Sequence, residues 1–312
     1  MQGPELVVSP RNLDELRMLI DAGADAFVLG SSKFVNFSRG SFYGDSLSLA
    51  VDVVRAAGRK VYLSIEAIMS NDLIDDLRVY LESVRHLDFD GVRVVDPGAF
   101  LLVRELMSNV SVHFTDSMML VNYFTANYWM GLGASRVKLA SEIVLDDVLR
   151  IKGEASGGIE VLVHGASMMF TSRRKLVANY LDFLHEQGKD VTMTLDGNFL
   201  FDEERNLYYP ILENEHGTHI LSGSDVCMID DLDGFVDAGI DAFYVDGFVH
   251  DSDDFCRIVG LYRMAIDLLI RDRAEYDRVK SAIYNEIVKL QSDVRPLDSG
   301  FYYKPTIYKN KV

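Results

Sequence analysis

A parallel α/β barrel of eight strands, the (β/α)8 class, is the fold this sequence predicts, on three observations. Short apolar segments alternate with amphipathic stretches of helical period, glycines close most of those stretches, and the chain never switches to a long run of strands. Periodicity alone does not show closure, so an open doubly wound sheet is the alternative architecture.

In chain order, the first strand covers residues 6–8 and is ended by Ser9-Pro10. A helix over 12–22 follows, with Leu13, Leu16, Leu19 and Ile20 on one face and Gly23 as its stop. The second strand, 25–30, leads into a polar, aromatic and glycine-containing loop over 31–44. That loop is longer than a connector needs, which marks it as a binding loop. A helix over 46–57 ends at Gly58, and the third strand, 60–66, runs out on Glu66. Helix 73–85 leads to the fourth strand, which ends at Asp96-Pro97. Helix 100–107 precedes the fifth strand, 110–114, with Asp116 just beyond. Helix 123–130 precedes the sixth strand, 136–140, capped by Ser141-Glu142. After helix 145–152, the seventh strand stops at His164-Gly165, where glycine lets the backbone turn. An irregular insertion over 166–224 separates it from a helix over 225–238 and the eighth strand, which ends at Asp246-Gly247. Helices over 254–270 and 274–290 close the barrel, and a tail over 291–312 carries Lys304, Lys309 and Lys311. The reading is a single barrel domain over 1–312, with strands 1 to 7 in 1–165, the insertion in 166–224, strand 8 and the closing helices in 225–290, and the tail after them.

A chain of 312 residues, 48% of them hydrophobic, can bury about three quarters of the surface its unfolded form exposes, enough for one large core. The formal net charge of −17 disfavours unaided wrapping of a nucleic acid backbone. Any RNA role therefore needs cations from a partner or a local patch. Two cysteines, Cys227 and Cys256, cannot make a disulfide framework, and no spacing suggests structural zinc. The start lacks the basic and apolar pattern of a secretion signal, and no apolar run approaches a membrane span of about 18 residues. A reducing cytoplasm, with no membrane contact, is the expected location.

In an α/β barrel, side chains at the carboxyl ends of the strands converge on one mouth. Here that set is Glu66, Asp96, Asp116, Glu142, His164 and Asp246. Crowded carboxylates repel, so some would be protonated, cation-paired or metal-bound. Helix capping by Asp96 and Asp246, with ion pairs to Arg39, Arg93, Lys138 or Arg174, is the structural alternative. A divalent metal is compatible with these acids, but they form no tight ligand motif. His164 stands where an acid, base or substrate-binding imidazole would sit, with Glu66 and Asp246 as catalytic companions. His113, inside the fifth strand, is expected to pack or to face a helix. The run Ser172-Arg173-Arg174-Lys175 is a cationic turn suited to an anionic substrate. No Gly-x-Ser-x-Gly elbow, Walker loop or cysteine–histidine pair supports an independent peptidase.

The stretch HGASMMFTSRRKLVANYL resembles the signature of the collagenase-like peptidases, family thirty-two of the peptidases of unassigned mechanism. His164, Gly165, Ala166, Ser172, Arg174, Leu176 and Tyr180 fall on that pattern, while Met168 and Lys175 stand where the family carries cysteines. The similarity extends to Asp21-Ala-Gly-Ala-Asp, to the Val95-Asp-Pro-Gly98 turn, to Ser224-Asp-Val-Cys-Met228 and to the closing Gly300-Phe301-Tyr302. The resemblance implies a TIM-like barrel, and substrate contacts are expected at Arg174 and Tyr180, which fall on its pattern, and at the strand-end acids Asp96, Asp116 and Glu142. Its better-understood members look like iron–sulfur proteins that hydroxylate a pyrimidine, including the tRNA wobble uridine, with prephenate as the implied hydroxyl source. Only Cys227 matches a cluster ligand here, and one thiolate cannot hold a cubane cluster. The family's cysteine loop is missing around Gly188 to Gly197, and its basic segment reads Tyr244-Val-Asp-Gly-Phe248. The implied role is therefore a subunit without its own cofactor, acting beside a longer cysteine-rich homologue that carries the cluster and reaching tRNA through the complex. Prephenate or another small carboxylate is the expected ligand. A metal-assisted hydrolase and a free-standing barrel lyase acting on a small carboxylate or phosphate are the rival readings.

Overall fold

A computed structural model describes residues 3–115, 119–189 and 198–304. Its first half alternates strictly: β1 (Glu5–Val8), α1 (Leu13–Asp21), β2 (Ala26–Leu29), α2 (Asp45–Ala56), β3 (Lys60–Ile65), α3 (Asn71–Val84), β4 (Gly91–Val94), α4 (Pro97–Leu106), β5 (Ser111–Phe114), α5 (Tyr123–Gly131), β6 (Arg136–Lys138) and α6 (Leu145–Glu154). The order continues with β7 (Gly158–Ser172), α7 (Leu176–Glu186), β8 (Asn198–Asp202), β9 (Leu207–Asn214), β10 (Gly217–Cys227), α8 (Leu232–Asp237), β11 (Ala242–Val245), α9 (Ser252–Arg271), α10 (Arg273–Val288) and β12 (Leu297–Asp298). Strands β1 to β7 pair in parallel in sequence order, and β11 lies between β7 and β1 in parallel with both. The eight-stranded barrel is thus closed, and the open-sheet alternative is excluded.

Two side-chain populations follow from the alternation along each strand. Outward residues such as Leu6, Phe27, Leu63, Val92, Val112 and Phe243 belong to the large core beneath the helices. The inward set includes a small apolar cluster of Val7, Ala26, Val28, Tyr62 and Ala242. Around that cluster the lumen is charged, where aliphatic layers are the usual filling. Glu5 accepts from Tyr62 Oη at 2.7 Å and from Arg136 at 2.6 Å, and Arg93 donates to Glu160 at 2.9 Å. Arg93 and Glu160 are each about 1% exposed, so this ion pair is fully withdrawn from water. His113 is packed, as one of the two expectations had it, but inside the barrel, its ring 4.7 Å from that of Tyr62.

The predicted irregular insertion is regular where it is described. Strand β7 does not stop at Gly165 but runs to Ser172, pairing antiparallel with β10, which pairs with β9, which pairs with β8. The helix predicted from residue 225 begins only at Leu232, because Asp225–Cys227 complete β10 opposite His164–Ala166. His219 is likewise fixed in β10, buried and 2.8 Å from Thr171 Oγ1. The tail is locked by Tyr302, whose hydroxyl donates to Leu162 O at 2.6 Å, and by Arg295, paired with buried Asp225 at 2.7 Å. Lys309 and Lys311 lie outside the described residues.

Breaking the Arg93–Glu160 pair leaves a charge buried without its partner, which costs about 3–5 kcal/mol. Glu160→Gln should lower the thermal midpoint sharply, and the double change Arg93→Met with Glu160→Met should recover part of the loss. Calorimetric unfolding of the three chains checks the ordering.

Candidate ligand site at the barrel mouth

Three of the predicted residues meet at the mouth, around a cavity of about 390 Å³ lined by Glu66, Asp96 and Asp246 together with Arg93, Lys138 and Tyr244. The floor is the upper end of the charged lumen. Glu66 accepts from Ser64 at 2.6 Å and Thr115 at 2.5 Å and lies 3.5 Å from Arg93 Nε. Burial by itself would raise its pKa, but the Arg93 and Lys138 charges and the two hydroxyl donors outweigh it and hold the carboxyl below its usual range. Asp96 caps α4 through Ala99 N at 3.0 Å and also accepts from Met69 N at 3.2 Å. Asp246 accepts from Phe248 N at 3.0 Å, yet burial pushes its pKa up. Helix capping is therefore realised for Asp96 but not for Asp246, whose bond closes a turn, while α9 is capped by Asp251; both acids remain in the cavity lining.

Lys138 is the exception among the interior charges. Arg93 and Arg136 have carboxylate partners, whereas the Lys138 amine makes no hydrogen bond or ion pair among the described residues and sits 3.8 Å over the centre of the Tyr244 ring. Burial and the neighbouring Arg93 lower its pKa. Sequence reasoning used Arg93 and Lys138 only as partners for acids. The available signal was a charge at an inward position of a short strand, alone among apolar residues in β4 and two residues from Arg136 in β6.

The loop over 31–44 forms one wall of the cavity, with Val35, Asn36, Phe37, Ser38, Arg39 and Gly40 in its lining. Arg39 staples the loop to the barrel: its guanidinium reaches Glu15 at 2.6 and 2.9 Å and the carbonyls of Gly247 and His250. Asn36 O accepts from Asn214 at 2.6 Å, so the same loop is tied to the insertion.

The other predicted residues lie elsewhere. His164 is fully buried outside the cavity lining, its Nδ1 3.4 Å from Tyr262 Oη on α9 and its ring 5.7 Å from that of His250. The cause is a bulge: Tyr244 and Val245 are successive on β11 but oppose Leu162 and His164, leaving Val163 as the extra residue on β7. The bulge reverses the side-chain alternation set by Glu160 and Leu162, and the Val163 carbonyl is satisfied by Tyr262 Oη at 2.8 Å and Met228 N at 3.0 Å. Arg174 lies exposed in the turn before α7, Tyr180 is exposed on α7, and Glu142 is exposed after β6. Asp116 lies outside the described residues.

The donor set does not fit an iron–sulfur cluster. Cys227 is buried against Tyr262 Oη at 3.6 Å, and burial raises its thiol to about 11. Met168 lines the cavity, Lys175 stands at the N-cap position of α7 without a side-chain capping bond, and Cys256 is buried on α9, which leaves Cys227 as one matched thiol where four would be needed. Among the described residues, no group of three or more His, Cys, Asp and Glu is placed to hold a metal ion.

Fold and site together define a TIM-like α/β-barrel protein with a charge-lined mouth. Residues 11–311 match the profile of Peptidase family U32, and the chain belongs to that family. It is 37% identical over 312 residues to tRNA hydroxylation protein P2 of Bacillus subtilis, a match covering 99% of this chain and 100% of that protein. The tRNA hydroxylation protein P1 of the same organism is 23% identical over 271 residues, covering 86% of this chain but only 64% of the relative. Among solved structures, the U32 peptidase Mk0906 superposes with a TM-score of 0.50 at 17% identity, over 79% of this chain and 94% of that one. A monomeric dihydrodipicolinate synthase variant does so with 0.53 at 10% identity, over 94% and 83%, and both confirm the barrel fold.

Burial depresses the pKa of His164 from 6.5 to about 3, so the imidazole is neutral in the native state at neutral pH. The unfolded chain takes up this proton below pH 6.5 while the folded chain resists it until about 3. The stabilisation is therefore present above pH 6.5 and lost on acidification, by about 1.4 kcal/mol per pH unit inside that window. Urea unfolding midpoints should fall between pH 6.5 and 4, and His164→Gln should flatten that slope.

Proposed function

We propose that this chain is a subunit of an assembly that hydroxylates tRNA uridine at the wobble position, working in the cytoplasm beside a longer, cysteine-rich homologue that carries the iron–sulfur cluster. The full-length similarity to tRNA hydroxylation protein P2 carries this reading. The single thiol matched to the cluster motif supports the division of labour, since redox chemistry then has to come from another chain. The −17 net charge supports it too, because tRNA phosphates need cations that a partner would supply. No helix among the described residues is long and apolar enough to cross a membrane.

The insertion offers a surface for such a partner. Leu176, Tyr180 and Phe183 lie along one exposed face of α7, and Phe199 and Phe201 are exposed on β8. Exposed aromatic surface of this extent is characteristic of protein contacts. The mouth cavity is the place for a small carboxylate such as prephenate, with Lys138 as its unpaired cation. A peptidase reading lacks support here: no histidine lines the cavity to activate a serine or threonine.

Deleting the gene should abolish 5-hydroxyuridine in total tRNA, measured by nucleoside mass spectrometry, and the chain together with its cysteine-rich homologue should restore it. Unchanged hydroxyuridine after deletion refutes the reading. The double change Tyr180→Glu with Phe183→Glu should weaken co-purification with the homologue while leaving the thermal midpoint of the isolated chain unchanged.

A further inference from the structure

The unpaired amine at the mouth has a chemistry that neither the fold nor the family membership assigns. Lys138 reaches the cavity from β6, a strand of only three residues, where its Cα is held opposite Glu160 by the ladder to β7 and follows Val137, which pairs with β5. Among the described residues its ammonium makes no ion pair with a carboxylate, and Tyr244 covers one side of it at 3.8 Å. The Arg93 guanidinium faces the same ring at 5.5 Å, so two cations converge on one aromatic side chain. An amine that is desolvated and set beside another cation loses its proton more readily and becomes a nucleophile toward carbonyl carbon. Lys60, which is half-exposed and paired with Glu5 at 2.6 Å, has neither property.

We propose that Lys138 forms an imine with a small 2-oxo acid bound in the mouth cavity. The proposal deepens the small-carboxylate part of the preceding reading and rests on it. A carbonyl group answers the amine, and a carboxylate on the adjacent carbon answers the Arg93 guanidinium in the cavity lining and the positive charge that Lys138 carries once the iminium forms. The cavity of about 390 Å³ lies within the range of small-molecule sites.

The step balances with the groups present. The neutral amine adds to the carbonyl carbon, forming the C–N bond and a carbinolamine. The C–O bond then breaks and the oxygen leaves as water, taking one proton from the amine nitrogen and one from the carboxylic acid of Asp246. The iminium keeps the remaining N–H and one positive charge, and Asp246 is left as the carboxylate. Asp246 suits the role because burial favours its protonated form. Glu66, held ionised beside Arg93, does not.

The test is reductive trapping. Purified full-length chain is incubated with pyruvate or phenylpyruvate and sodium cyanoborohydride, then analysed by intact mass and peptide mapping. The expected result is one reduced adduct on the peptide containing Lys138, absent in Lys138→Met and suppressed by excess lactate, which has no carbonyl. Adducts scattered over exposed lysines with Lys138 unmodified overturn the proposal. Thermal shift with phenyllactate separates the two possible failures. A shift that disappears in Lys138→Met, without trapping, means that the mouth binds carboxylates but forms no imine. No shift and no trapping removes the carboxylate reading as well. Lys138→Arg, which keeps the charge, should retain the phenyllactate shift and lose the adduct.

Discussion

The ion pair of Arg93 with Glu160, closed inside the barrel, is the constraint on which the mouth depends. Two charges withdrawn from water are tolerable only when each is held by the other and by further hydrogen bonds. The lumen meets that condition in a chain running from Glu5 through Arg136 and Glu160 to Arg93 and Glu66. Two of these links, Glu5 to Arg136 and Glu160 to Arg93, cross the lumen between strands that are not neighbours, so the electrostatics also help fix the barrel's shape. Glu66 ends the chain at the cavity floor. Its charge is shared between Arg93 and Lys138, and Lys138, which makes no ion pair among the described residues, is the cation that faces the cavity.

That arrangement explains how much of the site could be read from residues alone. Strand ends are legible because an acid after a short apolar run stands out, and Glu66, Asp96 and Asp246 do line one cavity. His164 looked equivalent on the same grounds, but one extra residue at Val163 turns it toward Tyr262. A bulge of this kind is set by pairing with β11, on the far side of the insertion, so no local pattern reveals it. Lys138 and Arg93 were visible as charges in short strands, but their roles differ only because Glu160 reaches one and not the other.

The fold itself was largely legible, since period, helix stops and strand lengths agree over the first seven units. The insertion was not. Strands β9 and β10 carry mixed polar and aromatic residues, and their partner is the continuation of β7, a strand whose glycine suggested an end. Gly165 instead adopts φ +99° where a side chain would strike the Asp246 carbonyl, so it marks a close approach within a continuing strand. The consequence for function is an ordered arm beside the mouth, whose aromatic face is free while its base is stapled to the loop wall through Asn214 and Asn36.

The chain pairs a charged barrel lumen with only two cysteines, both buried, which directs attention to ligand handling at the mouth. Crystals of the chain soaked with a bromobenzoate test this most directly, because the anomalous signal of bromine locates the carboxylate without bias. The account predicts a bromine peak inside the barrel mouth with the carboxylate against the Lys138 amine. A peak confined to the exposed Arg173-Arg174-Lys175 turn, or an empty mouth at saturating ligand, would contradict it.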